Sequence, residues 1–328
     1  MTAAHSYISE SDVMAEPSHV PVMLTPCLDA LAINPAGRYI DATFGRGGHA
    51  RAVLDRLDDD GRLIAFDQDP DAQAVADGGF DDARLTFVAR SFADIGDEIA
   101  DLGLAGQIDG ILFDLGVSSP QFDVAERGFS FRHAGPLDMR MDTRRGETLG
   151  AWLSRASHGE IARVIKTLGE EPMAGRIAAR IIDARANGQL TDTAALARIV
   201  ADAVPAKISQ TKRIHPATRT FQAFRMFIND ELGALDAGLA GALTALAPGG
   251  RLAVISFHSL EDRRVKRFMR GQARPAQPSL PMAPEIEPAL RLIDKPRRAD
   301  AMETAANPRA RSAILRVAER TDAPEVTT

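Results

Sequence analysis

A chain of 328 residues with 45% hydrophobic and 26% charged residues can bury a sizeable core, as two domains or as one α/β domain with an insertion. Its single cysteine, Cys27, excludes an internal disulfide and a CxxC metal site, so we expect a reducing compartment. No apolar run approaches the ~20 residues of a membrane span, and the polar start lacks a signal peptide. We therefore expect a cytoplasmic protein with no membrane partner.

The net charge of −6, taken whole, argues against a nucleic-acid partner, but the charge is unevenly distributed. Residues 251–320 carry 15 Lys and Arg against 8 Asp and Glu, whereas residues 1–250 are acidic. A basic C-terminal third is a candidate phosphate-contacting surface. Arginine-rich helices that simply face water would give the same count.

Residues 1–17 are predicted to be disordered, and short apolar runs then alternate with helix-like segments. We predict strands at Tyr39–Ala42, Leu63–Phe66, Leu85–Ala89 and Ile108–Leu115. The predicted helices between them are Ala50–Leu57, Pro70–Ala76 and Asp94–Leu102. This βαβα alternation predicts a parallel sheet with helices on both faces.

From about Arg127 to Ile214 the apolar residues recur at helical spacing and no strand-like run is present. We predict helices at Leu149–Ala156, Gly159–Leu168, Met173–Ala186 and Ala194–Val204. Ser157 and Glu160 predict a capping box at the start of the second of these helices. We interpret residues 127–214 as a helical domain inserted into an α/β domain that comprises residues 18–126 and 215–320, followed by a disordered tail, 321–328.

The α/β pattern resumes after the insertion. A long helix is predicted from about Ala217 to Leu246, ending at Pro248–Gly250, and the strand Leu252–Phe257 follows. A proline-rich loop then precedes two more strands, Leu290–Ile293 and Ser312–Val317. Seven strands with a final hairpin-like pair are one more than the dinucleotide-binding order contains, and resemble the Rossmann-like fold of S-adenosylmethionine-dependent methyltransferases.

Acidic residues and glycines follow the predicted strands. Asp41 ends the first strand and precedes a glycine turn, Gly45–Gly48; Asp67 ends the second, twenty residues after Gly47. Nucleotide-binding βα units place a tight turn and a ribose-binding carboxylate at these points, so we predict an adenosine-containing cofactor. Asp114 ends the fourth strand, and the three acids should converge outside the carboxyl ends of the sheet.

Six blocks of the sequence resemble those of the bacterial ribosomal RNA small subunit methyltransferase H family, also called MraW. They are Asp41–His49 (DATFGRGGH), Asp114–Gln121 (DLGVSSPQ), Arg127–Phe131 (RGFSF), Gly135–Asp142 (GPLDMRMD), Arg219–Arg225 (RTFQAFR) and Ile255–Asp262 (ISFHSLED). The resemblance implies methyl transfer from S-adenosylmethionine to N4 of one cytidine in the decoding region of 16S rRNA. It implies as partner the 16S rRNA within the small ribosomal subunit.

The resemblance also implies a set of cofactor contacts, which are Gly47, Gly48, His49, Asp67, Phe92, Asp114 and Gln121. Backbone N–H groups of the glycine turn suit the methionine carboxylate, and Asp67 suits the ribose. Phe92 is placed to stack on adenine, although without the resemblance it reads as a core residue. Asp114 suits either the adenine amine or the methionine ammonium, and the sequence leaves both open.

The residue that activates cytosine N4 is not identified by the sequence. Acceptors on the N4 hydrogens would localise the nitrogen lone pair and take up its proton. Asp138, Asp142 and His258 are candidates, with a salt-bridged loop as the alternative for the two acids. No metal is predicted, because no second His or Cys stands at ligand spacing from His49.

Phe129, Phe131 and Arg132 are candidates for holding a base that has left its stack, with packing between domains as the alternative for Phe129. The predicted phosphate contacts are Arg213, Arg219, Arg263, Arg264, Lys266, Arg267 and Arg270.

Two other function classes share parts of this pattern. An NAD-dependent oxidoreductase would need the third glycine in G-x-G-x-x-G register, but Gly45 and Gly47 are followed directly by Gly48. A non-catalytic RNA-binding assembly factor on a methyltransferase fold would be favoured by loss of the glycine turn or of Asp67. Both features are intact.

Overall fold

The computed structural model describes residues 21–205, 215–274 and 287–323. Its centre is one seven-stranded sheet in the order β3-β2-β1-β4-β5-β7-β6. The strands are β1 (Arg38–Asp41), β2 (Arg62–Phe66), β3 (Leu85–Val88), β4 (Ile108–Asp114), β5 (Leu246–Ser256), β6 (Leu290–Arg298) and β7 (Ile314–Arg320). Strands β1 to β5 pair in parallel, whereas β7 is antiparallel to both β5 and β6. The predicted Rossmann-like sheet with a closing antiparallel pair is confirmed.

The helices of the first half are α1 (Leu24–Leu31), α2 (Gly48–Leu54), α3 (Pro70–Gly79), α4 (Ile95–Asp101), α5 (Ser119–Asp123), α6 (Leu149–Arg155) and α7 (His158–Gly169). Those of the second half are α8 (Ala174–Ala186), α9 (Thr193–Ala203), α10 (Thr218–Ile228), α11 (Glu231–Ala245), α12 (Ser259–Ala273) and α13 (Ala301–Ala306). Within the described ranges, none of the helices combines the length and apolarity needed to span a bilayer.

Successive residues of a strand point to opposite faces of the sheet, and in this sheet both faces are buried. In β1, Ile40 packs on one face with Leu235 and Leu239 of α11. Its neighbour Tyr39 packs on the other face with Leu31 of α1. Helices therefore cover the sheet on two sides, and its carboxyl edge is left for the loops.

A separate hydrophobic cluster holds the helices that follow α5. It joins Trp152 of α6, Ile161 of α7 and Ile177 of α8 to Phe221 and Phe224 of α10. The capping box of Ser157 and Glu160 is present at the start of α7, as predicted. Helix α10, which the sequence assigned to the α/β domain, thus shares a core with the helical segment. The division of the chain into domains stays a prediction.

The single long helix predicted from Ala217 to Leu246 is wrong: the chain forms α10 and α11, separated at Asn229 and Asp230. Asp230 adopts a left-handed backbone with φ of 44°, which an aspartate tolerates better than most residues. The side chain of Asn229 bonds the backbone of Met139 and Met141, far away in the sequence. Strand β5 also begins at Leu246, earlier than predicted, because Gly249 with φ of 81° lets the chain turn within the strand.

Candidate cofactor and substrate site

The carboxyl ends of β1, β2 and β4 are joined by hydrogen bonds through the loop after β1. The Thr43 hydroxyl oxygen accepts the Asp114 amide at 2.7 Å, and the Thr43 amide donates to Asp41 Oδ1 at 3.0 Å. The amide of Gly45 donates to Asp67 Oδ2 at 2.8 Å. The three acids predicted to meet at this edge are therefore held around one loop.

The glycines of this loop are required by packing as well as by the turn. Gly47 has φ of 72°, and a side chain there would overlap the ring of Phe80. A side chain at Gly48 would overlap Pro21. The sequence argument attributed these glycines to close approach of a ligand; the structure adds that neighbouring side chains close over the turn.

Asp41 and Asp114 each have one buried oxygen without a hydrogen-bond partner, Oδ2 and Oδ1 respectively. Burial raises the pKa of Asp114 to about 8, and the charges of Asp41 and Glu261 act in the same direction. Burial also raises the pKa of Asp41 to about 7. Without a ligand the raised pKa keeps the Asp114 carboxyl protonated at neutral pH, and a cation that binds beside it favours the ionised form.

His49 adds a third acceptor to this corner. Its Nε2 lies 3.2 Å from the Val22 carbonyl oxygen, which only accepts, so the ring proton belongs on Nε2. Nδ1 then presents a lone pair to Asp114 Oδ2, 3.7 Å away. Burial lowers the pKa of His49 to about 4, so the ring is neutral at pH 7. The corner is rich in acceptors and attracts a donor cation.

Asp67 already accepts two backbone amides, from Gly45 and, at 2.9 Å, from Asp69. Burial raises its pKa to about 6, against the effect of these hydrogen bonds. A carboxylate offers about four lone-pair sites. Two sites therefore remain for the ribose hydroxyls that the sequence analysis assigned to Asp67.

The two remaining candidates for cofactor contact are engaged within the protein. The Phe92 ring lies edge-on to Phe113, 5.5 Å between centroids, and packs against Gly238 of α11. Gln121 is buried; its Nε2 donates to Asp69 Oδ2 at 2.6 Å, and its Oε1 accepts the Ser118 amide at 2.9 Å. Phe92 has the packing of a core residue, and Gln121 orders the loop after β4; their contacts with a cofactor stay predictions.

The segment Asp138–Asp142, which we call the 138–142 loop, carries its acids in ion pairs. Arg140 Nε and Nη2 bond the two oxygens of Asp138 at 2.7 and 2.8 Å. Arg144 Nε bonds Asp142 at 2.8 Å. Burial acts to raise the pKa of Asp138, but the bonds from Arg140 outweigh it and the pKa is lowered. The Arg140 amide also donates to Asp138 Oδ1, at 3.1 Å. Asp138 is therefore a carboxylate at neutral pH, with one lone-pair site left on Oδ2 for a further donor.

Arg127 ties this loop to the cofactor side, and the sequence analysis gave it no role. It donates through Nη1 to Asp69 Oδ1 at 3.1 Å and through Nη2 to the carbonyl of Met141 at 3.0 Å. The available signal was its place at the head of the Arg127–Phe131 block. Spacing alone does not reveal it, because 58 residues separate Arg127 from Asp69.

His258 begins α12 as its N-cap, where Nδ1 accepts the Glu261 amide. Its Nε2 lies 2.8 Å from Glu261 Oε1. Glu231, His258 and Glu261 form a group that could bind a metal ion, because one potential metal-ligand atom of each lies within 4.8 Å of the others. Sequence spacing missed this group, since Glu231 is on another helix. Arg225 bonds both oxygens of Glu231 at 2.7 and 2.8 Å, which supplies its counter-charge.

The aromatic candidates for the target base separate by burial. Phe129 is buried in the cluster of the helical segment. Phe131 is half-buried and lies 4.7 Å from the His215 ring and 4.8 Å from the Phe221 ring, while Arg132 is exposed. Phe131 and Arg132 thus remain the pair open to a ligand.

The predicted phosphate contacts on α12 fall into two groups. Arg263 bonds Glu170 at 3.0 Å and Arg264 bonds Asp236, so their charges are met within the protein. Arg267, Arg270 and Lys266 are exposed on the same helix. Arg219 donates to the Glu170 carbonyl at 3.0 Å. Arg213 lies outside the described residues.

Residues 16–321 match the model of the MraW methylase family. The chain is 55% identical over 311 residues to the ribosomal RNA small subunit methyltransferase H of Aromatoleum aromaticum, covering 94% of this chain and 98% of that protein. It is 53% identical over 312 residues to the protein of the same name from Xanthomonas euvesicatoria, with 94% and 90% coverage. An rRNA methylase structure from Streptococcus thermophilus aligns with a TM-score of 0.36 at 12% identity, covering 94% of this chain and 99% of that chain.

The matched region contains every sequence block on which the resemblance rested, and the sheet has the seven strands and the closing antiparallel pair that the sequence predicted. The chain belongs to the MraW methylase family.

Proposed function

We propose that the protein transfers a methyl group from S-adenosylmethionine to N4 of a cytidine in the decoding region of 16S rRNA, within the small ribosomal subunit. Family membership and relatives named as ribosomal RNA small subunit methyltransferases support the reaction class and the substrate class. The observation that carries the proposal is the pair of buried, unpartnered oxygens on Asp41 and Asp114 beside the glycine turn.

These residues fit the cofactor. Its α-ammonium is a cation with three N–H donors, which is what the oxygens of Asp41 and Asp114 and the lone pair of His49 Nδ1 lack. Asp67 has lone pairs left for the ribose hydroxyls. S-adenosylmethionine supplies, when bound, a methyl group already activated by a sulfonium, so the protein needs mainly to align it with the nucleophile.

The protein's own task is then to hold cytosine N4 and accept the one proton that it loses when the N–C bond forms. Asp138 is ionised, and of its about four lone-pair sites Arg140 occupies three, which leaves one on Oδ2. The Nδ1 lone pair of His258 already accepts the Glu261 amide, so the proton of the neutral ring belongs on Nε2, which leaves His258 less free to accept. Asp138 is therefore our first candidate for the N4 acceptor and His258 the second. Phe131 and Arg132 offer an aromatic face and a guanidinium plane for a base that has left its stack.

The test is methyl transfer from radiolabelled S-adenosylmethionine to unmodified 16S rRNA and to small subunits assembled from it. Nuclease digestion and mass spectrometry should identify N4-methylcytidine at one decoding-region position. Calorimetry with S-adenosylmethionine and with NAD identifies the cofactor. Binding of S-adenosylmethionine with methyl incorporation only at a carbon atom, or at no RNA position, would contradict the proposal.

A further inference from the structure

We propose that Arg127 is a positioning residue that fixes the 138–142 loop against the turn carrying Asp67. The role rests on the proposed function, in which Asp67 holds the cofactor and Asp138 faces the target base. Arg127 acts through the two segments that it joins, and so sets the distance and orientation between methyl donor and acceptor.

The guanidinium of Arg127 bonds in two directions at once. Toward the cofactor side, Nη2 lies 2.9 Å from Asp69 Oδ2, and Nη1 bonds Asp71 Oδ2 at 2.6 Å. Toward the loop, Nη2 donates to the carbonyls of Arg140 and Met141 at 3.2 and 3.0 Å. The side chain is only 10% exposed. A planar fork of five donors makes this geometry possible, and an ammonium does not reproduce it.

Asp69 carries the connection to the cofactor side. Its amide donates to Asp67 Oδ1 at 2.9 Å, and its carboxylate accepts from Gln121, which in turn orders the loop after β4. Asp69 is 4% exposed, so its ion pair with Arg127 is shielded from solvent and salt. Asp69 is thus held to the Asp67 turn by bonds that do not involve Arg127, and Arg127 uses it as an anchor for the 138–142 loop.

The 138–142 loop depends on such outside contacts. Met139 has φ of 63°, and the Met139 amide donates to the Arg127 carbonyl at 3.1 Å. Its backbone is also held by Asn229, which bonds the Met141 amide at 2.7 Å and the Met139 carbonyl at 2.8 Å, and by the Leu149 amide, which donates to the Asp138 carbonyl at 2.9 Å. Without the Arg127 guanidinium the carbonyls of Arg140 and Met141 lose their donor, and the loop is free to shift. A shift of about 1 Å is enough to lower a rate by ~100-fold.

Arg127→Lys tests the role in the full-length protein. Lysine keeps the charge opposite Asp69 but has only three donors on one nitrogen, so it cannot make the Nη1 bonds to Asp69 and Asp71 together with the Nη2 bonds to the two loop carbonyls. We expect kcat for methyl transfer to fall by at least ~10-fold, while the Kd for S-adenosylmethionine changes by less than about threefold. Arg84→Lys is the matched control. Arg84 forks onto Asp82 at 2.9 and 2.7 Å and donates to the Leu57 carbonyl at 2.6 Å, on another loop.

Asp69→Asn is a second variant, which tests the positioning role of Arg127 if Arg127→Lys does not fold. Asparagine still caps α3, where Asp69 accepts the Asp71 amide, but it lacks the charge. Its kcat should also fall, and the double variant should lose less than the product of the two single losses.

An unchanged kcat in either single variant relative to Arg84→Lys, or multiplicative losses in the double variant, would overturn the positioning role while leaving the proposed function standing. Absence of methyl transfer by the wild-type protein would instead refute the proposed function, and the role of Arg127 with it.

Discussion

The side chain of Asn229 accepts the backbone amide of Met141 at 2.7 Å, across 88 residues of sequence. The same side chain donates to the Met139 and Arg225 carbonyls at 2.8 and 2.9 Å. One asparagine therefore ends α10, separates it from α11 and fixes the 138–142 loop. The break between the two helices and the placement of the candidate substrate loop have one common cause.

Asn229→Ala should lower the free energy of unfolding by about 1–3 kcal/mol, because the amide of Met141 loses its partner. Methyl transfer should fall as well, since the 138–142 loop loses a tether. Urea unfolding measures the first effect and single-turnover kinetics the second. Asn187→Ala is the control: its side chain bonds only the Asp183 carbonyl at the exposed end of α8, so little loss is expected. Equal effects of the two substitutions would contradict this assignment.

Asp67→Asn should weaken binding of S-adenosylmethionine by ~1.5–3 kcal/mol, the range of a charged hydrogen bond, or about 10- to 150-fold in Kd. The amide keeps one acceptor oxygen but replaces the other by a donor, which opposes the ribose hydroxyls. Titration calorimetry measures the change. Asp109→Asn is a matched control, because Asp109 also accepts a backbone amide, from Arg38 at 2.7 Å, but near the opposite edge of the sheet. An unchanged affinity of the Asp67 variant would remove Asp67 from the ribose site.

Asp114→Asn tests the carboxyl of Asp114, whose Oδ1 is buried, through the pH dependence of stability. The pKa of Asp114 rises from 3.8 to about 8 in the folded protein, mainly through burial. Between these values the folded state binds more protons than the unfolded state. The contribution to stability is therefore full below pH ~4 and is lost as the pH rises through about 8.

Asparagine is neutral at every pH, so the variant lacks this dependence. Without ligand, its Tm relative to wild type should rise by at least ~3 °C between pH 5 and pH 9. Thermal unfolding monitored by circular dichroism measures the difference. A Tm difference that does not depend on pH would show that Asp114 is ionised throughout this range.

The strands were predictable because each is a short apolar run between turn residues, a local signal. The break at Asn229 was not, because helix-forming residues flank it on both sides. The contacts that stabilise the break come from Met139 and Met141, far away in the sequence. The core of the helical segment shows the same limit. Periodicity located α10, but only packing shows that Phe221 and Phe224 join the preceding helices.

For the site, the strand ends Asp41, Asp67 and Asp114 were predictable, because parallel strands bring their carboxyl ends to one edge. What each acid bonds to was not. The unpartnered oxygens of Asp41 and Asp114 depend on the loop geometry of Thr43. The ion pair of Arg127 with Asp69 joins residues with no periodic relationship.

The last prediction concerns the exposed face of α12. Arg267 and Arg270 are exposed three residues apart and have no ion-pair partner in the described part of the chain, whereas Arg263 and Arg264 pair with Glu170 and Asp236. A charge already met by a carboxylate releases fewer counterions on binding RNA than a free one. Arg267→Ala combined with Arg270→Ala should therefore weaken RNA binding and lower the slope of log K against log salt by about 1.5.

Cofactor affinity should not change in that variant, because Glu261, whose charge acts on Asp114, lies in the first turn of α12, whereas Arg267 and Arg270 are exposed farther along it. The control is Arg263→Ala with Arg264→Ala, which removes the same formal charge but should reduce the salt slope less. Filter binding of 16S rRNA fragments between about 50 and 200 mM salt measures both slopes. Equal slopes in the two variants would mean that an arginine paired with a carboxylate of the protein contacts RNA phosphate as well as an arginine without such a partner. A wild-type slope in the Arg267 and Arg270 variant would mean that this face of α12 is only solvated.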